Sequence, residues 1–236
     1  MNTDIQITNE LGVQLIRHMA DDDFVIQAAK VSALGANDIP EDFNRERFLN
    51  ALMKPRHGVP WEHVYFTFLV EVPIFVARQW VKHRHASMNE ISGRYSKLLP
   101  KFYSPSIDRP LVNHGTKMKP NFTGGDFSRQ HFEKNSGDEN IFKACFEEYE
   151  RQLEWGIAEE MARTVLPVAT YTQFYWSLNG RAVLSFLERR VDSHLNRVET
   201  HPQWEIDQAA KLIEASFAEK MPYSHMAFIN AGRVAP

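Results

Sequence analysis

Three features are scarce in this 236-residue chain: cysteine, an excess of charge of one sign, and long apolar runs. The single cysteine, Cys145, excludes a disulfide within the chain and favours a reducing compartment. With 27 basic and 30 acidic side chains, the net charge of −3 argues against general binding to nucleic acid or anionic membrane. No apolar run is long enough to span a bilayer, and the N-terminus does not resemble a signal peptide. A cytoplasmic protein is therefore expected.

Several well-known cofactor and metal motifs are also absent. The chain has no G-x-G-x-x-G after a strand, no P-loop, no H-E-x-x-H and no cysteine pair for zinc. His83 and His85, with His57 and His63 nearby, make a metal site imaginable, but no carboxylate partner accompanies them and no metal is expected. Cys145 lies beside the apolar stripe of a predicted helix, which favours a small buried hydrophobe over a nucleophile.

The most informative stretch is the basic segment, residues 78–98, which carries five cations against one acid, Glu90. Arg78 and Lys82 are four residues apart in a predicted helix, where like charges repel unless an anion binds between them. Serine and tyrosine hydroxyls and further guanidinium groups follow in the same segment. This combination of donors predicts a surface that holds phosphate groups.

Two other places have a similar character. The first runs from Asn179 through Arg181 to the pair Arg189 and Arg190, for which the alternative is a solvated helix end. The second is Arg163, in an otherwise apolar turn. An arginine there is costly unless it binds an anion or forms a salt bridge, with Glu159 or Glu160 as the alternative partner.

Apolar spacing predicts a mixture of helices and strands without regular alternation, which is typical of the α+β class. Strands are predicted within 4–15, at 63–72 and at 170–178. Helices are predicted from an N-cap at Asp22 or Asp23 to about 34, from an N-cap at Asn179 to 190, and at 41–53, 74–82, about 140–153, 158–166 and 202–220. The chain is expected to form a single domain over 1–236, with a Pro- and Gly-rich surface excursion at 100–138.

The basic segment closely resembles the signature of the flavin-dependent thymidylate synthase family. The resemblance rests on His83-Arg84, seven intervening residues and Ser92, within R-Q-W-x-x-H-R-x-A-S-x-N-E-x-S-G-R-Y. It extends to P-x-E-H at 60–63, A-R-x-V-L-P at 162–167, R-x-D-S-H at 190–194 and Q-W-E-I at 203–206. It covers most of the chain outside 100–138.

The resemblance implies an enzyme that makes dTMP from dUMP. In this family 5,10-methylenetetrahydrofolate supplies the carbon, and FAD reduced by NADPH supplies the hydride. The implied fold is a family-specific α/β type with a central, mainly antiparallel sheet flanked by helices. The implied assembly is a homotetramer with active sites shared between subunits, and neither nucleic acid nor membrane is a partner.

The resemblance also assigns roles to residues. Arg190 would stabilise negative charge on the uracil ring, and His57 would lie near flavin and folate. The implied cofactor-binding residues are Lys82, His83, Arg84, Asn89, Glu90, Asn179 and Arg181. The implied substrate-binding residues are Arg78, Gln79, Glu90, Ser92, Gly93, Arg94, Arg163 and Arg190.

Two departures from the family pattern leave alternatives open. Lys82 replaces the usual first arginine and cannot make a bidentate phosphate contact, which predicts looser binding of FAD. Residues 195–202 are an insertion that either reshapes the nucleotide site or lengthens a loop. A nucleotide- or flavin-binding sensor without turnover is the alternative function, and a nucleic-acid-binding module is a more distant one.

Overall fold

The computed structural model describes residues 4–35, 38–122 and 128–236. The helices in these ranges are α1 (Asp22–Leu34), α2 (Arg45–Met53), α3 (Ile74–Trp80), α4 (Ser128–Glu154), α5 (Glu159–Ala162), α6 (Gly180–Arg190), α7 (Trp204–Lys220) and α8 (Pro222–Asn230). The strands are β1 (Gln6–Thr8), β2 (Gly12–Met19), β3 (Tyr65–Pro73), β4 (Ser87–Glu90), β5 (Lys101–Tyr103) and β6 (Tyr171–Asn179). Short 3₁₀ turns occupy Val59–His63 and Arg163–Val165.

The strands form two sheets. The larger is a mostly antiparallel four-stranded sheet in the order β2-β3-β6-β4, and β1 pairs with β5 in a smaller parallel sheet. Helices and strands do not alternate regularly, so the predicted α+β class is confirmed. Sheets of this kind bury one face of each strand, which accounts for the alternating pattern that predicted β3 and β6.

The chain groups into two compact units, to which β3 and β6 both contribute residues. Unit 1 comprises the described parts of Met1–Leu11, Glu71–Gln79 and Glu90–Phe174. Unit 2 comprises the described parts of Gly12–Val70, Trp80–Asn89 and Tyr175–Pro236. The expectation of one domain over 1–236 stays a prediction.

The core of unit 2 is rich in aromatic side chains. Phe66 and Phe68 alternate along β3 on its buried face, and Phe68 lies 6.3 Å from Trp176 of β6 between ring centroids. Trp80 packs edge-on against Trp176 at 5.4 Å and lies 5.1 Å from Phe186 of α6. Aromatic pairs at these distances add about 0.5–1.5 kcal/mol each beyond the burial of their area. This packing holds the end of α3 and the second half of α6 against β6.

Unit 1 has its own apolar cluster beneath α4. Phe102 of β5 stacks on Phe142 at 5.1 Å and meets Phe146 edge-on at 6.1 Å. Tyr149 is fully buried beside Phe146, and its hydroxyl accepts a hydrogen bond from the backbone N–H of Leu98 at 3.1 Å. The basic segment is thereby tied to α4.

Two helix starts differ from the prediction. The N-cap of α1 is Asp21 rather than Asp22 or Asp23, because the Asp21 carboxylate accepts from the backbone N–H of Phe24 at 2.6 Å. The helix predicted from about 140 begins at Ser128 instead, so the prediction was wrong there. The early turns are polar and contain glycine, and ion pairs one turn apart such as Arg129–Glu133 support them.

The segment 100–138 contains regular structure at both ends. Phe102 and Tyr103 are buried in β5, and α4 already begins at Ser128. Gly124 and Gly125, which contributed to the loop prediction, lie outside the described residues. None of the helices in the described ranges combines the length and hydropathy that a membrane crossing requires.

Candidate active site

Unit 2 brings His83 and Arg190 together. The chain turns after α3, where the backbone N–H of His83 donates to the Trp80 carbonyl at 3.0 Å. The Arg190 Nε–H donates to His83 Nε2 at 2.9 Å. Phe186 lies one turn before Arg190 on the same face of α6, and its ring meets the His83 ring edge-on at 4.8 Å. A packed imidazole therefore fixes the plane of the Arg190 guanidinium.

The electrostatics of this pair determine its protonation. Burial, and then the positive charges of Arg190 and Arg189, lower the pKa of His83 from 6.5 to about 4. Burial also lowers the pKa of Arg190, which nevertheless stays protonated as arginines do in proteins. At neutral pH the pair is thus a neutral imidazole that accepts from a guanidinium cation. Such a cation is suited to stabilising negative charge on a bound ring.

Arg181 lies at the start of α6 and is held by the chain itself. Its Nη1 donates to Glu62 Oε1 at 2.5 Å, and its Nε donates to the Pro236 carbonyl at 2.9 Å. A Cβ on Gly58 would lie 2.5 Å from Arg181 Nε, so only glycine permits this close approach. His57, which precedes Gly58, is exposed. His57 thus directly precedes the glycine against which Arg181 packs.

The N-cap of α6 is Asn179, as its sequence context predicts. Its side-chain oxygen accepts from the backbone N–H of Ala182 at 2.8 Å. The oxygen of Asn179 is therefore committed to the cap, and a ligand contact of this residue would use its amide nitrogen or its backbone.

Lys82 does not share a helical face with Arg78, contrary to the prediction. The helix α3 ends at Trp80, and Lys82 lies in the turn that follows. Lys82 and Arg84 are exposed, and neither has an ion pair with a residue of the described ranges. Asn89 follows on β4 with an exposed side chain. Two unpaired cations and an amide suit an anionic ligand such as a pyrophosphate.

Unit 1 gathers the second half of the basic segment in a tight turn. The Ser92 carbonyl accepts from the backbone N–H groups of Tyr95 and Ser96, both at 3.2 Å. The backbone N–H of Arg94 donates to Ser92 Oγ at 3.3 Å. The side-chain Nε of Arg94 donates to Glu160 Oε2 at 3.0 Å. The turn thus holds a hydroxyl and a guanidinium side by side, and α5 restrains the guanidinium.

Arg163 packs along the same turn. A Cβ on Gly93 would lie 3.2 Å from Arg163 Cδ and 3.1 Å from Leu98 Cδ1. Arg163 is exposed and makes no ion pair with Glu159 or Glu160. The carboxylate of Glu160 binds Arg94 instead. The salt-bridge alternative for Arg163 was therefore wrong. The stem of this arginine lies on Gly93, and its head group is available to an anion.

Three further predicted residues belong to unit 1. Arg78 is exposed near the end of α3 and has no ion pair within the described part of the chain, and Gln79 beside it is half-buried. Glu90 accepts a hydrogen bond on Oε1 from Thr172 Oγ1 at 2.5 Å. Thr172 is buried on β6, so its hydroxyl holds the Glu90 carboxylate in a fixed orientation.

Sequence reasoning did not identify Thr172, Glu160 or Phe186 as residues that support the predicted site residues in their own units. The only available signal for Phe186 was its position one helical turn before Arg190. Thr172 and Glu160 act through contacts with Glu90 and Arg94, which lie far from them along the chain. Such contacts depend on tertiary structure and leave no local pattern.

Two alternatives from the sequence were a histidine-rich metal site and a reactive cysteine. Among the described residues, no group of three or more His, Cys, Asp or Glu side chains is placed to hold a metal ion. Cys145 is half-buried on α4 rather than fully buried as predicted.

Comparison with known proteins identifies the family. The sequence model of a family described as "Thymidylate synthase complementing protein" matches residues 14–223. A flavin-dependent thymidylate synthase of Streptomyces coelicolor is 40% identical over 98% of this chain and 96% of its own length. A flavin-dependent thymidylate synthase of Thermotoga neapolitana is 40% identical over 96% of this chain and 94% of its own length. The chain belongs to the flavin-dependent thymidylate synthase family.

A solved structure supports the same assignment. The UMP/dUMP methylase PolB from Streptomyces cacaoi, bound with 5-Br dUMP, matches with a TM-score of 0.93 at 36% identity, over 98% of this chain and 100% of PolB. PolB bound with 5-Br UMP matches with a TM-score of 0.91 at 37% identity. The predicted family and enzyme class are confirmed: the chain is a methyltransferase of the flavin-dependent thymidylate synthase family.

Proposed function

We propose that the chain makes dTMP from dUMP, with 5,10-methylenetetrahydrofolate as carbon donor and NADPH-reduced FAD as hydride source. Membership of the flavin-dependent thymidylate synthase family and the match to PolB with bound 5-Br dUMP support this proposal. The single observation that carries it is the Arg190 guanidinium held at 2.9 Å by neutral His83.

Arg190 is the proposed catalytic cation. Carbon transfer requires C5 of uracil to act as the nucleophile, and negative charge on the ring, at N3 or O4, makes C5 nucleophilic. A guanidinium already fixed in orientation stabilises that charge without reorganising at the moment of reaction. The neutral state of His83 contributes because a protonated imidazole could not accept from Arg190 Nε. His57, exposed beside Gly58, is proposed to lie near flavin and folate.

The dUMP phosphate and sugar are proposed to bind the turn at Ser92. A phosphomonoester carries close to two negative charges and accepts from several donors at once. The turn offers the Ser92 hydroxyl, and the guanidinium groups of Arg94 and Arg163 lie along it. The proposed substrate-binding residues are Arg78, Gln79, Glu90, Ser92, Gly93, Arg94, Arg163 and Arg190.

FAD is proposed to bind through the cations that the chain leaves unpaired. Lys82 and Arg84 match the two charges of its pyrophosphate, and Arg181 at the start of α6, although paired with Glu62, adds a further guanidinium. The full proposed set is Lys82, His83, Arg84, Asn89, Glu90, Asn179 and Arg181. The chemistry that FAD supplies when bound is hydride transfer, with NADPH as the source of the hydride. The protein binds and orients both ligands.

The assembly is proposed to be a cytoplasmic homotetramer with shared active sites, as the family resemblance implies. Large exposed apolar side chains on unit 1 support an interaction surface, including Tyr95 at 75% and Trp155 at 64% exposure. Neither nucleic acid nor membrane is a proposed partner.

An anaerobic single-turnover reaction tests the proposal. Bound flavin is reduced with NADPH, dUMP and methylenetetrahydrofolate are added, and flavin reoxidation is followed together with dTMP. Reoxidation with stoichiometric dTMP is the expected result. A flavin that binds but stays reduced would favour the sensor, and failure to bind FAD would overturn the assignment of the cations.

A second candidate is the methylation of UMP. The specific observation in its favour is the match to PolB, a UMP/dUMP methylase that was solved with 5-Br UMP as well. The same reaction run with UMP in place of dUMP distinguishes the two: comparable turnover with UMP would assign a ribonucleotide methylase, and turnover with dUMP alone would exclude it.

A further inference from the structure

A cavity in unit 2 is lined by residues none of which is assigned to the reaction, although one of them, Arg56, directly precedes His57. It has a volume of about 420 Å³ and opens between the C-terminal ends of α2 and α8. Its charged lining residues are Lys54, Arg56 and Arg197, and within the described part of the chain no acidic residue lines it. A volume of this size is within the range of small-molecule sites, roughly 300–1,000 Å³.

Two packing contacts build the wall of this cavity. The Asn230 Nδ2–H donates to Asn50 Oδ1 at 3.2 Å and joins α8 to α2. The backbone N–H of Arg197 donates to the Gly232 carbonyl at 2.9 Å, and a Cβ on Gly232 would lie 2.9 Å from Arg197 Cβ. Arg197 belongs to the insertion 195–202, so this insertion supplies one cation of the cavity.

Helix ends alone do not explain the three cations. A cation near the C-terminus of a helix is stabilised by the helix dipole, which accounts for Lys54 at the end of α2. Arg197 lies on neither helix, yet the insertion brings it to the same cavity. Arg56 has a positive φ of 65°, a conformation that glycine adopts far more readily than arginine. Like charges gathered in this way repel one another unless a bound anion compensates them.

We propose that this cavity binds a small organic polyanion, with Lys54, Arg56 and Arg197 as its charge partners. Arg56 is oriented by a hydrogen bond from its Nε to the Ala235 carbonyl at 3.0 Å. Met53, Ala227 and Val234 give the cavity an apolar floor, which suits an organic ligand rather than a bare inorganic ion. Clustered phosphates and clustered carboxylates share the required chemistry. The inference is independent of the proposed reaction.

Calorimetric titration of the full chain tests the site with two probes, adenosine 2′,5′-bisphosphate for phosphates and triglutamate for carboxylates. FAD and dUMP are first added to saturation, so that other anion sites are filled. The variants are Lys54→Gln and Arg197→Gln. The matched control is Arg47→Gln, which removes an exposed cation of α2 outside the cavity.

Saturable binding of either probe is expected, about tenfold weaker in each cavity variant and unchanged in the control. The probe that binds identifies the phosphate or carboxylate class. Absence of saturable binding by both probes would overturn the proposal, as would equal binding in Lys54→Gln, Arg197→Gln and Arg47→Gln. A lower melting temperature in the cavity variants without probe binding would assign the cations to stabilising helix ends instead.

Discussion

Replacement of His83 by glutamine should remove a specific pH dependence of stability. The imidazole accepts from Arg190 Nε at 2.9 Å and packs on Phe186, so the folded state requires the neutral ring. Glutamine has an oxygen that can accept the same hydrogen bond, and it does not titrate. The groups that oppose protonation of His83 are Arg190 and Arg189, in addition to burial.

The sign and size of the effect follow from the pKa of His83 in each state. The ordinary value of 6.5 applies to the unfolded chain, whereas the folded ring stays neutral down to a pKa of about 4. Between these values the unfolded state binds more protons, so the free energy of unfolding falls as the pH drops from 6.5 towards 4. The largest loss of unfolding free energy that these two pKa values allow is about 3 kcal/mol. Solvent screening of this half-buried ring lowers the expected loss to about 1–2 kcal/mol.

Urea unfolding followed by tryptophan fluorescence provides the assay. The free energy of unfolding is measured for wild type and His83→Gln at about pH 7 and about pH 4.5. Subtracting the loss in the variant from the loss in the wild type cancels the contribution of the other titrating groups. The wild type should lose about 1–2 kcal/mol more than the variant on acidification. An equal loss in both proteins would refute the neutral, buried His83 and its pairing with Arg190.

Three further substitutions test the site and the fold. Arg190→Ala should abolish dTMP formation while FAD remains bound, and turnover at the wild-type rate would contradict the role of the guanidinium. Gly93→Ala should raise the KM for dUMP by about tenfold, because the new Cβ would lie 3.2 Å from Arg163 Cδ and displace this arginine. An unchanged KM would argue against a role of Gly93 and Arg163 in binding dUMP. Asp22→Ala should lower the free energy of unfolding by about 1–2 kcal/mol, because it removes the cap of α8. The buried Asp22 carboxylate accepts from the first backbone N–H groups of that helix, including that of Ser224 at 2.9 Å. Chemical denaturation checks this loss, and unchanged stability would contradict the capping role.

The parts of the fold that were predictable are those with a strong local pattern. Strands β3 and β6 alternate apolar and polar residues, and Asn179 has the side chain and position of an N-cap. Helix α8 was missed, because it begins at Pro222 directly after α7 and its capping carboxylate comes from Asp22, some 200 residues earlier. A cap supplied from another element cannot be recognised from neighbouring residues.

The candidate site was predictable as a set of residues but not as an arrangement. The signature motif identified His83 and Ser92, but not the hydrogen bond from Arg190 to His83. Residue spacing placed Arg78 and Lys82 on one helical face, whereas α3 ends at Trp80. Pairing across the chain, such as Arg94 with Glu160, decides which cations remain available to a ligand, and spacing does not contain that information.

The insertion 195–202 is a shaped segment and not merely a longer loop, because the chain anchors it at two points. The Asn196 Nδ2–H donates to the Val191 carbonyl at 2.8 Å, at the C-cap of α6. The next residue, Arg197, donates its backbone N–H to the Gly232 carbonyl at 2.9 Å. Carbonyls at a helix end need partners from outside the helix, and Asn196 supplies one directly after Arg190. The insertion therefore joins the helix end that carries the proposed catalytic arginine to the wall of the cationic cavity.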